Sequence, residues 1–274
     1  MAGPVISVQS VGKCYAMNRR ARGSARKALD EFLRLPLRLL PGASEHPRTV
    51  ATEGDLWALR DVSFEVGQGE VLAIMGRNGA GKSVLFKILS RVTRPTRGRV
   101  EVRGSVAPLL EVGTAFHPDL TGRENIYLNG VILGMRRSEV HQRVTRIVDF
   151  SGVGPFLDTP IRQYSSGMRM RLAFAVAAHL DRDIFLLDEV LAVGDRDYRE
   201  RCLNRLRELA WQGKSILFVS HGNEFQGLCT RAILLDNGQL VAAGTPAEMN
   251  REYAKLREEN PSSAGVAGGM GNAR

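Results

Sequence analysis

The apolar run VLAIM, residues 71–75, leads straight into the octapeptide GRNGAGKS, residues 76–83, and a helical pattern follows from about Lys82 to Arg91. A buried strand, a glycine-rich turn and a helix start, in that order, constrain this chain more than any other segment. The octapeptide matches G-x-x-x-x-G-K-[ST] in the context that gives the pattern its meaning. Gly76, Gly79 and Gly81 allow backbone N–H groups to turn inward around phosphate oxygens. The helix beginning near Lys82 aims the positive end of its dipole at the same anion. Lys82 reaches the β- and γ-phosphates, and Ser83 offers its hydroxyl to Mg²⁺. Arg77, Asn78 and Ala80 complete the cradle. Many such loops carry threonine where this one has Val84, and the absent hydroxyl is a bond of about 0.5–1.5 kcal/mol. The expected ligand is a nucleoside triphosphate, ATP, with Mg²⁺.

Around this loop the pattern is regular. Residues 4–11, DVSFEVG, DIFLLDE and SILFVSH read as strands, and residues 98–111 as short strands around a turn at Arg103–Gly104. Helical patterns cover 121–150 with a break near Gly134, 167–180 and 196–212. RAILLDNGQLVAAG is a hairpin signal with its turn at Asn237–Gly238. Thr245, Pro246 and Glu248 have the form of a capping box with proline at the first helical position. Buried β-branched runs alternating with helices predict an α/β fold with a mainly parallel sheet. Residues 18–53 break the pattern as a basic, arginine-rich insertion. Within it residues 25–35 could form a short amphipathic helix ended by Pro36, and a flexible surface loop is the competing reading. The tail from Pro261 is small and polar enough to be disordered.

A phosphate loop alone does not separate kinases, GTPases and ATP motors. The run IFLLDE narrows the choice: a buried strand delivers Asp188 and Glu189 at its end. Asp188 would hold Mg²⁺ through water, and Glu189 would polarise the attacking water as general base. His221 closes the next buried strand, where it could contact the γ-phosphate and hold Glu189 in place. In YSSGM, residues 164–168, Ser165, Ser166 and Gly167 would offer a hydroxyl and free N–H groups at a helix N-terminus, a second anion site. One chain does not need two such sites for one nucleotide. Two facing chains do, if each completes the other's pocket.

This constellation resembles the nucleotide-binding subunits of ABC transporters over about residues 4–250, with phosphate loop, signature, acidic strand and switch histidine in the family's order. The resemblance implies a P-loop NTPase of ABC type with an antiparallel β subdomain and a helical subdomain at 112–180. The nucleotide-binding domain would span 1–250, and 251–274 would hold the end of a C-terminal helix and the tail. Tyr15 matches the aromatic that stacks on adenine, and Asp195 in LAVGD the aspartate that meets the partner subunit. The departures are specific. YSSGM stands for LSGGQ, LAVGD for SALD, and LLEVGTAFHPDLTGRENI lacks the usual glutamine, with Glu111 its nearest polar candidate. Together they resemble the ABC-2 type ATPases that export O-antigen, teichoic acid, galactan and capsule. The basic insertion also resembles one placed near the membrane in that group. No glycan-binding domain is expected after His221.

The implied partners are a second copy in an ATP-sandwich dimer, an integral-membrane permease and, through it, a lipid-linked glycan. The chain has no apolar run near the ~20 residues of a span, so the expected place is the cytoplasmic face of the membrane, peripherally bound. The expected permease contact lies around residues 111–123. Cys14, Cys202 and Cys229 are too scattered for a disulfide framework or metal site. The net charge of +9 admits nucleic acid as a ligand. A nucleic-acid or ribosome-acting ABC protein, however, would carry tandem nucleotide domains or long coiled-coil insertions, and this chain shows neither, so no nucleic-acid partner is expected. An ABC-2 drug or lipid exporter is the nearer alternative.

Overall fold

The computed structural model describes residues 3–15, 55–109, 116–188, 195–220 and 227–259. The insertion 18–53, Glu111, Glu189, His221 and the tail from Pro261 lie outside them. Two sheets organise the chain. β1 (Ile6–Tyr15), β2 (Leu56–Val66) and β4 (Arg97–Val102) form an antiparallel sheet in the order β2-β1-β4. The second sheet runs β5-β6-β7-β3-β8-β9, with β3 at Val71–Gly76, β5 at Val106–Leu109, β6 at Ile184–Leu187, β7 at Ser215–Ser220, β8 at Arg231–Asp236 and β9 at Gln239–Gly244. Its pairings are parallel from β5 through β8, and β9 closes it antiparallel.

The continuous apolar strands are explained by burial on both faces. Along β3, Leu72 and Ile74 enter the core shared with the antiparallel sheet and α1 (Lys82–Leu89), while Val71, Ala73 and Met75 enter the opposite core. That opposite core is covered by α2 (Gly122–Ile132), α3 (Arg137–Ser151), α4 (Ser166–Ala178), α5 (Arg196–Trp211) and α6 (Pro246–Glu259). The expected helix break falls at Gly134, in the left-handed region at φ 86° between α2 and α3. The capping box before α6 forms: Thr245 N–H donates to Glu248 Oε2 at 2.8 Å. Asn237 and Gly238 have φ of 46° and 78°, the two positive values of a type I′ hairpin turn.

One expectation is refined. The two strands around Arg103–Gly104 form, but they belong to different sheets. Gly104 sits at φ 114°, and a Cβ there would lie 2.9 Å from Asp183 Cβ. Ser105 N–H and Oγ–H both donate to Asp183 Oδ2 at 2.8 Å, which holds that carboxyl below its usual pKa. The chain therefore leaves the antiparallel sheet and is pinned to the entry of β6. β5 then takes the edge position, where Pro108 removes no interior ladder bond.

The parallel sheet aligns the strand ends that matter. β7 lies between β3 and β6, with Met75 opposite Ser220 and Leu187 opposite Phe218. The phosphate loop after β3, Asp188 after β6 and the end of β7 at Ser220 thus share the carboxyl edge, where open α/β sheets bind ligands.

Candidate active site

The octapeptide wraps the start of α1. Gly76, Gly79 and Gly81 have φ of 151°, 81° and 99°. The first and last are also forced by closeness. A Cβ on Gly76 would lie 2.3 Å from the Leu235 carbonyl oxygen, and one on Gly81 2.5 Å from that of Ala58. Gly81 is the N-cap of α1 and gives no side-chain cap bond. The loop closes on itself through Ala80 N–H, which donates to the Arg77 carbonyl at 3.1 Å. Lys82 is buried, and its ammonium donates to the Gly76 and Arg77 carbonyls at 2.7 and 2.9 Å. Its stem thus folds back under the loop and its charge lies inside the curve.

A distant hairpin buttresses the loop. Gly238 N–H donates to the Ala80 carbonyl at 3.2 Å, and Arg60 N–H donates to the Gly238 carbonyl at 2.7 Å. A Cβ on Gly238 would lie 2.7 Å from the Ala58 carbonyl oxygen. The turn read from Asn237–Gly238 is thus also a support of the phosphate loop. Nothing in its local pattern reveals this, because the partner residues are far away in sequence.

A cleft of about 410 Å³ opens over the loop, walled by Asn78, Gly79, Gly81, Lys82, Ser83 and Val84 on one side. Ala58 of β2 and Asp188 form the rest of its described lining. The structure therefore brings the Ser83 hydroxyl and the Asp188 carboxylate, far apart in sequence, to one cavity. Ala58 was not singled out from the sequence; its small side chain carries no motif. Val84 does two things at once. It lines the cleft and packs, half-buried, against the core that holds Leu85 and Phe86. Tyr15 ends β1, exposed, opposite Leu56, with the Lys13 ammonium 5.2 Å from its ring centre. It is not among the described residues lining this cleft.

YSSGM lies elsewhere. Ser165 is the N-cap of α4, and its Oγ accepts the Met168 N–H at 3.1 Å. Ser166 and Gly167 open the helix, and both serines are exposed. None of the three is among the described residues of the phosphate cleft. Asp195 caps α5, accepting the Tyr198 N–H at 2.8 Å and pairing with Arg171 of α4 at 2.8 Å. The amide bond first, and the guanidinium second, hold its carboxyl below the usual pKa. Asp195 is thus engaged with the signature helix of its own chain.

A phosphate loop, an acidic strand end beside it, and a serine-capped helix start apart from the described lining of the cleft define an ATP-binding cassette. A family model described as "ABC transporter" matches residues 59–192. The chain is 43% identical, over 251 residues, to the O-antigen export system ATP-binding protein RfbB of Klebsiella pneumoniae; the match covers 91% of this chain and 97% of the relative. It is 40% identical over 198 residues to the teichoic acids export ATP-binding protein TagH of Listeria innocua, spanning 72% of this chain and 59% of that one. The dimeric post-hydrolysis structure of the ATP-binding cassette MJ0796 bound to ADP and Pi shares the fold, with TM-score 0.66 and 21% identity over 88% of this chain and 98% of that one. The chain belongs to the ABC transporter family, as an ATP-binding subunit that hydrolyses ATP.

Proposed function

We propose that this chain is the ATP-hydrolysing subunit of an exporter that moves a lipid-linked cell-surface polysaccharide across the cytoplasmic membrane. The observation that carries this reading is the 43% identity to an O-antigen export subunit across nearly its whole length. The teichoic-acid relatives support the same substrate class rather than a drug or lipid.

In the proposed cycle two copies face each other. Lys82 and Ser83 of one copy hold the triphosphate, and the partner's Ser165, Ser166 and Gly167 close over the γ-phosphate. Tyr15 stacks on adenine. Asp195 lies at the seam between copies. Ser83 and Asp188 offer two oxygen donors in one cleft, a partial ligand set that Mg²⁺ accepts when phosphates and water supply the rest. When bound, that ion draws charge from the phosphate oxygens. Glu189 takes a proton from water as the water oxygen bonds to the γ-phosphorus. The bond from that phosphorus to the bridging oxygen breaks, ADP keeps its electron pair, and inorganic phosphate forms. Lys82 balances the charge on the phosphates. His221 keeps Glu189 and the water in register.

No helix among the described residues is long and apolar enough to cross a membrane. The membrane path is assigned to a separate permease, met through residues 111–123, which leaves this subunit peripheral on the cytoplasmic face. Depleting the chain from its cell should trap lipid-linked glycan inside. Wild-type chain should clear it, and Glu189→Gln, which binds ATP without turnover and accumulates as ATP-bound dimer, should not. Accumulation of a different substrate would overturn the assignment.

A further inference from the structure

Two sequence features that read as separate, HPDLTGRENIY and YSSGM, are joined in the fold. Residues 117–124 lie against residues 156–164 through four backbone bonds. Gly122 and Arg123 N–H donate to the Thr159 and Leu157 carbonyls, and Ile161 and Arg162 N–H donate to those of Leu120 and Pro118, all at 2.9–3.2 Å. Arg123 pairs with Asp158 and Arg162 with Asp119, each exposed and each worth little alone. Asn125, fully buried, ties the incoming turn together by bonding the His117 N–H and the carbonyls of His117, Leu120 and Thr121.

Tyr164 lies at the centre of this joint. It is 3% exposed and immediately precedes the cap of α4. Its hydroxyl donates to the Phe156 carbonyl at 2.6 Å. Its own carbonyl accepts from the Arg169 guanidinium at 2.9 Å, so the residue is held from both ends. On its other side stands Gly122, the first residue of α2, where a Cβ would lie 2.2 Å from the Tyr164 hydroxyl oxygen. Gly122 is not in the left-handed region. Its lack of a side chain is required by this contact and not by its backbone.

We infer that Tyr164 is the positioning residue of the signature turn: its hydroxyl, seated between Gly122 and the Phe156 carbonyl, fixes Ser165 to the 117–124 segment so that the two move as one body. The inference rests on the reading that Ser165 completes a partner's nucleotide site. It deepens that reading by giving the permease-facing segment a rigid connection to the residue that meets the γ-phosphate. Tyr164 touches no nucleotide; it acts through Ser165.

The test uses the full chain carrying Glu189→Gln, with Mg-ATP, and follows the monomer–dimer equilibrium by sedimentation. Adding Tyr164→Phe should weaken the ATP-bound dimer ~3–10-fold, the scale of one lost buried hydrogen bond. ATP affinity of the monomer should stay within about twofold, because the phosphate loop is on other elements. In the otherwise wild-type chain the same change should lower kcat and spare ATP binding. Gly122→Ala should weaken the dimer further, and Gly122→Ala with Tyr164→Phe should recover part of that loss by removing the clashing oxygen. A Tyr164→Phe dimer as tight as its parent would overturn the inference. So would no recovery in the double variant, or a fall in monomer ATP binding equal to the fall in dimerisation. Ser165→Ala tests the underlying reading by itself: an undiminished dimer there would refute the shared site, whatever Tyr164 does.

Discussion

Two helices in this chain begin at glycine- and serine-rich turns, and they begin differently. α1 starts from Gly81, which has no side chain with which to satisfy the helix's first N–H groups. α4 starts from Ser165, whose hydroxyl already accepts the Met168 N–H. The first arrangement leaves the amide groups of the helix start directed at whatever enters the cleft. The second has one of those N–H groups, that of Met168, already satisfied within its own chain, and its turn is not among the described residues of that cleft. The supports differ as well. The phosphate loop is shaped by backbone, with a Cβ excluded at Gly76 and Gly81 by carbonyl oxygens. The signature turn has side-chain ties, through Tyr164 and Arg169, in addition to the backbone bonds that lead up to it. A site built from backbone binds its ligand in each chain by itself. A site built on a side-chain-tied turn can be presented as a unit to a second molecule.

The comparison breaks most severely at Gly81. Alanine there has to adopt φ near 99° with its methyl 2.5 Å from the Ala58 carbonyl oxygen and 2.7 Å from Leu59 Cδ2. The loop must move away from β2, opening the cleft from the side where Ala58 lines it. Gly81→Ala should lower stability by about 1–3 kcal/mol, the usual cost of a forced left-handed residue. It should also weaken ATP binding ~100-fold or more, as read by calorimetric titration beside a denaturant melt. Unchanged affinity would mean that the loop's shape is not set by its contact with β2.

The sequence made this half of the comparison legible and the other half only partly so. Residues 76–83 carry a pattern whose every fixed position has a local reason, and the hydrophobic runs around it announce their strands. The hairpin at Asn237–Gly238 is equally local. What escaped was long-range. Nothing in Gly238 shows that it carries the Ala80 carbonyl, nor in Gly122 that it clears space for Tyr164. Arg103–Ser105 reads as an ordinary turn, yet it transfers the chain between sheets because Asp183, far along the sequence, captures Ser105. Glycines whose φ is ordinary or whose neighbour is distant look alike in sequence, whatever they exclude.

Ser165→Ala sharpens the contrast at the other helix. The variant loses the bond to Met168 N–H, and caps of this kind are worth about 1 kcal/mol. Because Ser165 is exposed and apart from the phosphate cleft, ATP binding by single chains should be unchanged. ATP-driven dimerisation and turnover should both fall, by ~10-fold for a loss near 1.4 kcal/mol. Nucleotide binding and cooperativity of ATPase rate with protein concentration separate the two effects. A drop in single-chain binding would place the signature turn at its own nucleotide after all.

Val84→Thr is the smallest change and tests whether the loop lacks a contact or has traded it. Valine and threonine are close in shape, but the swap is not a hydrophobic one, because a methyl becomes a hydroxyl. Val84 both lines the cleft and packs against the core around Leu85 and Phe86, so the two faces of the side chain pull in opposite directions. If the hydroxyl turns to the cleft, it adds one phosphate bond, and ATP binding tightens ~2–10-fold. If it turns to the core, stability falls by about 1 kcal/mol with no partner gained. The rotamer follows the ligand: a loss of stability without nucleotide, and recovery of that loss with it. Thermal melts with and without ATP check this directly. Equal destabilisation in both conditions would show that valine is kept at this position for packing, and that the cradle is complete without the hydroxyl.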